Sequence, residues 1–249
     1  VAYIFKRSGT TWTKQTKLTA STADTNDYYG MSVSIDGDYA IVGSKYDEAG
    51  GTNRGTAFIY KRLGTSWSEQ QKLEASDGAD SDNFGVSVSI KGDYAAIGAL
   101  ESSTGGAAYI FKRSGTSWLQ QQKLEASDAA SSDYFGHSVS IDNDYVIVGA
   151  NQEDTGGSNA GAAYVYSRSG STWSEIKKIQ ASNVSAGPLF GIAVAIENGP
   201  VCIGAIYEAT YGSQSGAAYI YPSQVTKNYY ITDAGKYSVD ATIAGLNYK

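Results

Sequence analysis

The chain holds 249 residues, with 25 Asp+Glu against 19 Lys+Arg and a formal net charge of −6. Hydrophobic residues at 41% exclude a disordered chain, and a single Cys excludes a disulfide framework or a cysteine-rich zinc site. The acidic balance argues against nucleic-acid binding through phosphates, and no apolar run reaches the ~18–20 residues of a membrane helix.

The chain opens on Val1-Ala2-Tyr3-Ile4-Phe5, a truncated copy of a run that returns at Gly55, Gly106, Gly161 and Gly216. Trp12 follows, and Trp67, Trp118 and Trp173 repeat it at spacings of 55, 51 and 55. Seventeen residues after each Trp stands an aromatic-Gly pair: Tyr29-Gly30, Phe84-Gly85, Phe135-Gly136 and Phe190-Gly191. Fourteen residues after that aromatic comes a further glycine, at Gly43, Gly98, Gly149 and Gly204. Length varies only between this glycine and the next repeated run, as in a packed scaffold with one tolerant loop.

Each repeat reads as four short strands. Gly85-Val86-Ser87-Val88-Ser89-Ile90 alternates with period two, and Tyr145-Val146-Ile147-Val148 is a continuous apolar run suited to burial on both faces. Asp36-Gly37, Lys91-Gly92, Asp142-Asn143 and Glu197-Asn198 are two-residue hairpin turns between them. A third strand such as Ala108-Tyr109-Ile110-Phe111 leads through Lys112-Arg113-Ser114-Gly115 into a fourth, from Trp118 to about Leu124. Four strands per ~50 residues, with no capped helical periodicity, predict an all-β chain folded as a β-propeller. The blade repeats run about 29–83, 84–134, 135–189 and 190–221 plus 1–28, so residues 1–221 form the propeller. Residues 222–249 leave the pattern and read as two more strands around Asp233-Ala234-Gly235, closing the ring or starting another domain. Copies of the third strand outnumber copies of the first. A shared closing blade is therefore expected, pairing residues 1–20 with strands beyond 190, with about five blades in a complete chain. A part of a larger propeller is the rival.

These residues resemble the FG-GAP repeat family, known from the head propellers of integrin α subunits. The Phe-Gly half stands at Phe84-Gly85, Phe135-Gly136 and Phe190-Gly191, and the Gly-Ala half at Gly98-Ala99, Gly149-Ala150 and Gly204-Ala205. Kelch repeats have a similar period but lack the Phe-Gly strand. The motif's proline is absent, and the first-to-second-strand connection, Ile35-Asp36-Gly37-Asp38-Tyr39, is too short to supply the six to eight oxygens calcium takes. The integrin-type calcium loop is not carried over. The resemblance implies an extracellular setting, with which the glycosylation pattern Asn183-Val184-Ser185 agrees.

Catalytic material is scarce. His137 occupies a slot filled by Met31, Val86 and Ile192, and Cys202 aligns with Ile41, Ala96 and Ile147, which reads as a small buried hydrophobe. Gly136-His137-Ser138-Val139-Ser140 lacks the closing glycine and strand-turn-helix context of a nucleophile elbow. No enzyme is expected. Trp12, Trp67, Trp118, Trp173, Phe84, Phe135 and Phe190 read as structural repeat anchors, with Trp67, Trp118 and Trp173 between blades; a sugar-binding platform is the competing use of these aromatics.

The asymmetric signal lies in loops that share one propeller face. They carry thirteen carboxylates against Lys45 and Arg54, a charge of −11 on that face and +5 elsewhere. Asp24, Asp27, Asp47, Glu48, Asp128, Asp133, Glu153 and Asp154 are candidate ligand-facing residues. Asp77, Asp80 and Asp82 are the densest group and the candidate site for a hard cation such as Ca2+, the one cofactor considered. The expected function is a secreted or cell-surface interaction module binding a protein or glycan partner through this face. A structural subunit of a surface assembly or filament is the alternative.

Overall fold

A computed structural model describes residues 1–222 except 23, 49, 103, 184, 185, 210, 211 and 213, together with the strands Tyr229–Ile231 and Tyr237–Val239. Two residues of the glycosylation pattern and the turn at 233–235 lie outside the described residues. Strands β1 (Ala2–Ser8) and β2 (Thr11–Leu18) form a two-stranded sheet. Blade one is β3 (Val33–Asp36), β4 (Tyr39–Ser44), β5 (Thr56–Leu63) and β6 (Ser66–Leu73). Blade two is β7 (Phe84–Lys91), β8 (Tyr94–Ala99), β9 (Ala107–Ser114) and β10 (Ser117–Leu124). Blade three is β11 (Phe135–Asp142), β12 (Tyr145–Ala150), β13 (Ala162–Ser169) and β14 (Thr172–Ile179). Blade four is β15 (Ala193–Ile196), β16 (Val201–Ala205), β17 (Ala217–Tyr221), β18 (Tyr229–Ile231) and β19 (Tyr237–Val239). All pairings within the sheets are antiparallel and follow chain order, the arrangement of propeller blades.

No blade buries both faces alone, so the core lies between blades. One apolar cluster joins Ile41, Ile59 and Leu73 of blade one to Phe84, Val88, Tyr109 and Trp118 of blade two. A second joins Ala96 and Ile110 to Phe135, Tyr164 and Trp173, and a third joins Ile147 and Val165 to Phe190 and Tyr219. Trp118 and Trp173 are 1% and 2% exposed and set their rings edge-on to Tyr39 and Tyr94 of the preceding blade. Trp67 is half-buried, whereas Trp12 is 64% exposed, because among the described residues no sheet precedes β1 and β2.

The two halves of the repeat motif meet across each blade boundary. A Cβ on Gly43 would lie 2.0 Å from the Gly85 carbonyl oxygen, and one on Gly98 would lie 1.9 Å from that of Gly136. Backbones this close leave room only for glycine. The serines of each inner strand add hydrogen bonds to the next blade: Ser32, Ser87 and Ser138 hydroxyls donate to the carbonyls of Gly85, Gly136 and Gly191, all at 2.7 Å. Ser34, Ser89 and Ser140 hydroxyls accept from the N–H of Ile90, Ile141 and Ile196 at 3.1 Å.

Among the described residues, 1–20 pair with no strand beyond 190: β1 pairs with β2, and β18 occupies the outer edge of β17. No closed sheet forms among the described residues. Cys202 is half-buried rather than buried, although Ile41, Ala96 and Ile147 are fully buried, because no further blade among the described residues covers the outward face of blade four.

Candidate functional site: the loop face

The second-to-third and fourth-to-first connections lie against each other, as the Ser81 N–H on the Thr52 carbonyl (2.8 Å) and the Phe135 N–H on Gly105 (2.8 Å) show. Their acidic residues are largely engaged in holding this face together. Asp27, Asp82 and Asp133 are buried, and each carboxylate accepts the backbone N–H three residues earlier, from Asp24 (2.6 Å), Ala79 (2.8 Å) and Ala130 (2.8 Å). The fourth copy has Pro188 at this position.

Asp77 accepts from Lys123 Nζ at 2.9 Å, and Asp128 accepts from Lys178 Nζ at 2.6 Å and the Tyr164 hydroxyl at 2.8 Å. Burial by itself raises both carboxyls, but the lysine and tyrosine hydrogen bonds outweigh it and hold them below the usual range. Glu153, also buried, accepts from Lys178 at 2.9 Å and Gln180 at 3.0 Å; burial raises its carboxyl, but the Lys178 and Thr155 hydrogen bonds outweigh it and hold it low. At Asp133 the balance reverses: burial and the neighbouring Glu153 and Asp128 charges raise its carboxyl despite the Ala130 N–H. Asp47, in the blade-one position equivalent to Glu153, accepts from Lys72 at 3.1 Å.

Asp24 caps Thr25 N–H at 2.7 Å, Asp154 accepts Asn159 N–H at 2.6 Å, and Glu48 is exposed. Asp80 accepts Thr52 N–H at 3.1 Å. Asp77, Asp80 and Asp82 thus turn to three different partners, and no group of three or more metal-ligating side chains forms among the described residues. Around Asp24, Asp27, Asp47 and Glu48 the loops enclose a polar cavity of about 670 Å³, with Tyr46 and Lys72 also on its wall.

Four neighbouring slots of the repeat expose apolar and aromatic groups that sequence reasoning did not single out. Tyr28 is 57% exposed and packs on Tyr46 at 4.8 Å between ring centroids, with Lys45 Nζ 4.4 Å from the Tyr46 centroid. Met31, Ile206 and Tyr207 are exposed as well. Tyr28, Asn83, Tyr134 and Leu189 share one slot and all have positive φ, between 54° and 58°. The backbone takes the left-handed conformation there in every copy, although of the four residues only Asn83 is of a type that favours it. The available signal was variation: the slots read Tyr28/Asn83/Tyr134/Leu189, Met31/Val86/His137/Ile192, Lys45/Leu100/Asn151/Ile206 and Tyr46/Glu101/Gln152/Tyr207.

The residues considered for catalysis do not assemble. The Ser138 hydroxyl is spent on Gly191, and burial lowers the pKa of His137, whose Nδ1 has no hydrogen-bond partner. Phe84, Phe135 and Phe190 are buried edge-on to Tyr109, Tyr164 and Tyr219, so these anchors, like Trp118 and Trp173, offer no face to a ligand.

Successive antiparallel blades, cores between them and loops gathered on one face define a β-propeller architecture. The FG-GAP repeat model matches residues 12–60, 67–111, 118–166 and 173–221, and the chain belongs to that family. FG-GAP repeat propellers are generally non-enzymatic and often extracellular. No curated protein matches the sequence. Among solved structures, the crystal structure of Saccharomyces cerevisiae Sqt1 is similar, with a TM-score of 0.50 at 7% identity. The match covers 83% of this chain and 48% of that one, so the chain spans about half the length of that protein, and the likeness is one of fold alone. Among the described residues no helix is long and apolar enough to cross a membrane.

Proposed function

We propose that this protein is a non-enzymatic interaction module, secreted or at the cell surface, that binds a protein or glycan partner through the loop face. The observation that carries the reading is the contrast between slots. Residues that weld the blades repeat from copy to copy, whereas Tyr28, Met31, Ile206 and Tyr207 sit in slots that differ between copies and stand 45–57% exposed. Exposed aromatic and apolar groups on a rigid scaffold are the anchors that recognition surfaces use. The carboxylates around them give the face its sign and favour a partner with a basic or hydroxyl-rich surface. The test is binding to a glycan array and to intact cells, with the parent compared with the Tyr28→Ser, Tyr207→Ser variant. Loss of binding at unchanged thermal stability supports the proposal; equal binding by both refutes it.

A further inference from the structure

Blades two, three and four join a tyrosine of their third strand to a polar side chain in the loop that enters the blade. In blade three the Tyr164 hydroxyl donates to Asp128 at 2.8 Å, and Lys178 spans Asp128 and Glu153. In blade four the Tyr219 hydroxyl donates to Asn183 at 2.8 Å. In blade two Asp77 accepts from Lys123 at 2.9 Å and from the Tyr109 hydroxyl. Blade one has Phe58 and Thr22 in the two places. Phenylalanine has no hydroxyl and threonine no carboxylate, so the tie is missing there. Lys72 instead lies over the Phe58 ring at 5.9 Å and meets Asp47 at 3.1 Å and Glu74 at 3.3 Å.

The polar cavity of about 670 Å³ opens beside Thr22 and Lys72, and all of its walls come from residues 22–74. That volume holds about one or two sugar rings. The wall chemistry decides which class of molecule fits. Asp24, Asp47 and Glu48 are acceptors, Lys72 is a donor, and the Asn26 and Asn53 amides are both. Carboxylates outnumber the single lysine, so a phosphate or carboxylate ligand is repelled. An ammonium or guanidinium only donates, and it would bring its charge against Lys72. A hydroxyl donates and accepts at once and carries no charge, so a polyol satisfies both kinds of wall group. Tyr46 adds an aromatic ring on which the C–H groups of such a molecule can pack.

We propose that this cavity seats a neutral saccharide, which makes blade one the glycan-holding part of the loop face. The inference rests on the recognition role proposed for that face, and it narrows the partner to a glycan and the contact to one blade. Sugar hydroxyls donate to the carboxylates and accept from Lys72 and the asparagine amides. In blades two and three the tyrosine, aspartate and lysine of the tie occupy the equivalent place, so those blades take no such ligand.

The test restores the tie. The Thr22→Asp, Phe58→Tyr variant gives blade one the residues of blades two and three, which already hold these places in the same fold. A second variant, Asn26→Gly, Asn53→Gly, removes two wall amides at positions whose φ of 70° and 53° glycine accepts. The probes are glucose, galactose, mannose, N-acetylglucosamine, lactose and cellobiose, with acetyl-arginine amide and inorganic phosphate as the charged alternatives. Binding to the whole chain is read by saturation-transfer NMR and titrated by calorimetry, and thermal melts confirm that each variant folds. At least one neutral sugar should bind the parent, at least about tenfold more weakly to each variant, and neither charged probe should bind. The proposal is overturned if no neutral sugar binds, or if one binds either folded variant as tightly as the parent. It is also overturned if the arginine probe binds and the restored tie abolishes that binding, since the cavity then takes a basic side chain. Array or cell binding that survives the restored tie overturns this inference alone. The loop-face reading falls separately, if the Tyr28→Ser, Tyr207→Ser variant binds as the parent does.

Discussion

Trp118→Ala examines the welding of blade to blade. The indole is 1% exposed and lies 5.8 Å from the Tyr39 ring of blade one at 73°. Its backbone is clamped by Gln71 of blade one, whose side chain accepts the Trp118 N–H at 2.7 Å and donates to the Trp118 carbonyl at 2.8 Å. A buried aromatic of this size removes about 150–250 Å² from water, or about 4–6 kcal/mol at ~25 cal/mol per Å². Alanine keeps a little of that burial, and partial collapse recovers some more, so the expected loss is about 3–5 kcal/mol. Trp12→Ala is the internal control: the same residue type in the same repeat position, 64% exposed, should cost under about 1 kcal/mol. Urea unfolding followed by circular dichroism measures both, with an unchanged slope showing that the folded and unfolded states keep their compactness. A Trp118→Ala loss below ~1 kcal/mol, or one equal to that of Trp12→Ala, would refute burial between blades.

Gly98→Ala should destabilise by at least about 2 kcal/mol, since its Cβ would fall 1.9 Å from the Gly136 oxygen, whereas Gly204→Ala, whose nearest neighbour would be 3.7 Å away, should be close to neutral. Equal effects in thermal melts would mean that the blade contact is not what excludes a side chain. Asp128 is held low by Lys178 and Tyr164 against the opposing effect of burial, so its ionised form stabilises the fold above the unfolded aspartate value of about 3.9, and that contribution fades as pH falls through the depressed folded value. The stability gap between parent and Asp128→Asn should therefore be full near pH 6 and shrink below pH ~4; a gap constant down to pH 2 would count against the ion pair.

The repeat is legible in the sequence because each blade must solve the same packing problem. Phe84, Phe135 and Phe190, Trp118 and Trp173, and the paired glycines recur because each fills one kind of site between blades. Trp12 shows where that inference stops: its type follows the repeat, but its burial depends on a neighbouring sheet. The carboxylates were harder to read. Asp77 and Asp128 find their lysines 46 and 50 residues later, in the next blade, and that distance conceals the pairing. Lys72, Lys123 and Lys178 recur just before Leu73, Leu124 and Ile179, and that regular cation at the end of the fourth strand was the signal that matched them. The Tyr28–Tyr46 pair of blade one and the exposed Tyr207 of blade four were hidden for a different reason. A search for repetition passes over the slots that fail to repeat.

Recognition by the variable slots is tested most directly by giving blade one the slot residues of blade two: Tyr28→Asn, Met31→Val, Lys45→Leu and Tyr46→Glu. Each new residue already occupies the equivalent place in the same fold. Calorimetry and binding to the partner found on the array or cells should then separate. The expected result is a thermal midpoint close to that of the parent with binding lost. Retained binding by the four-residue variant would contradict the account.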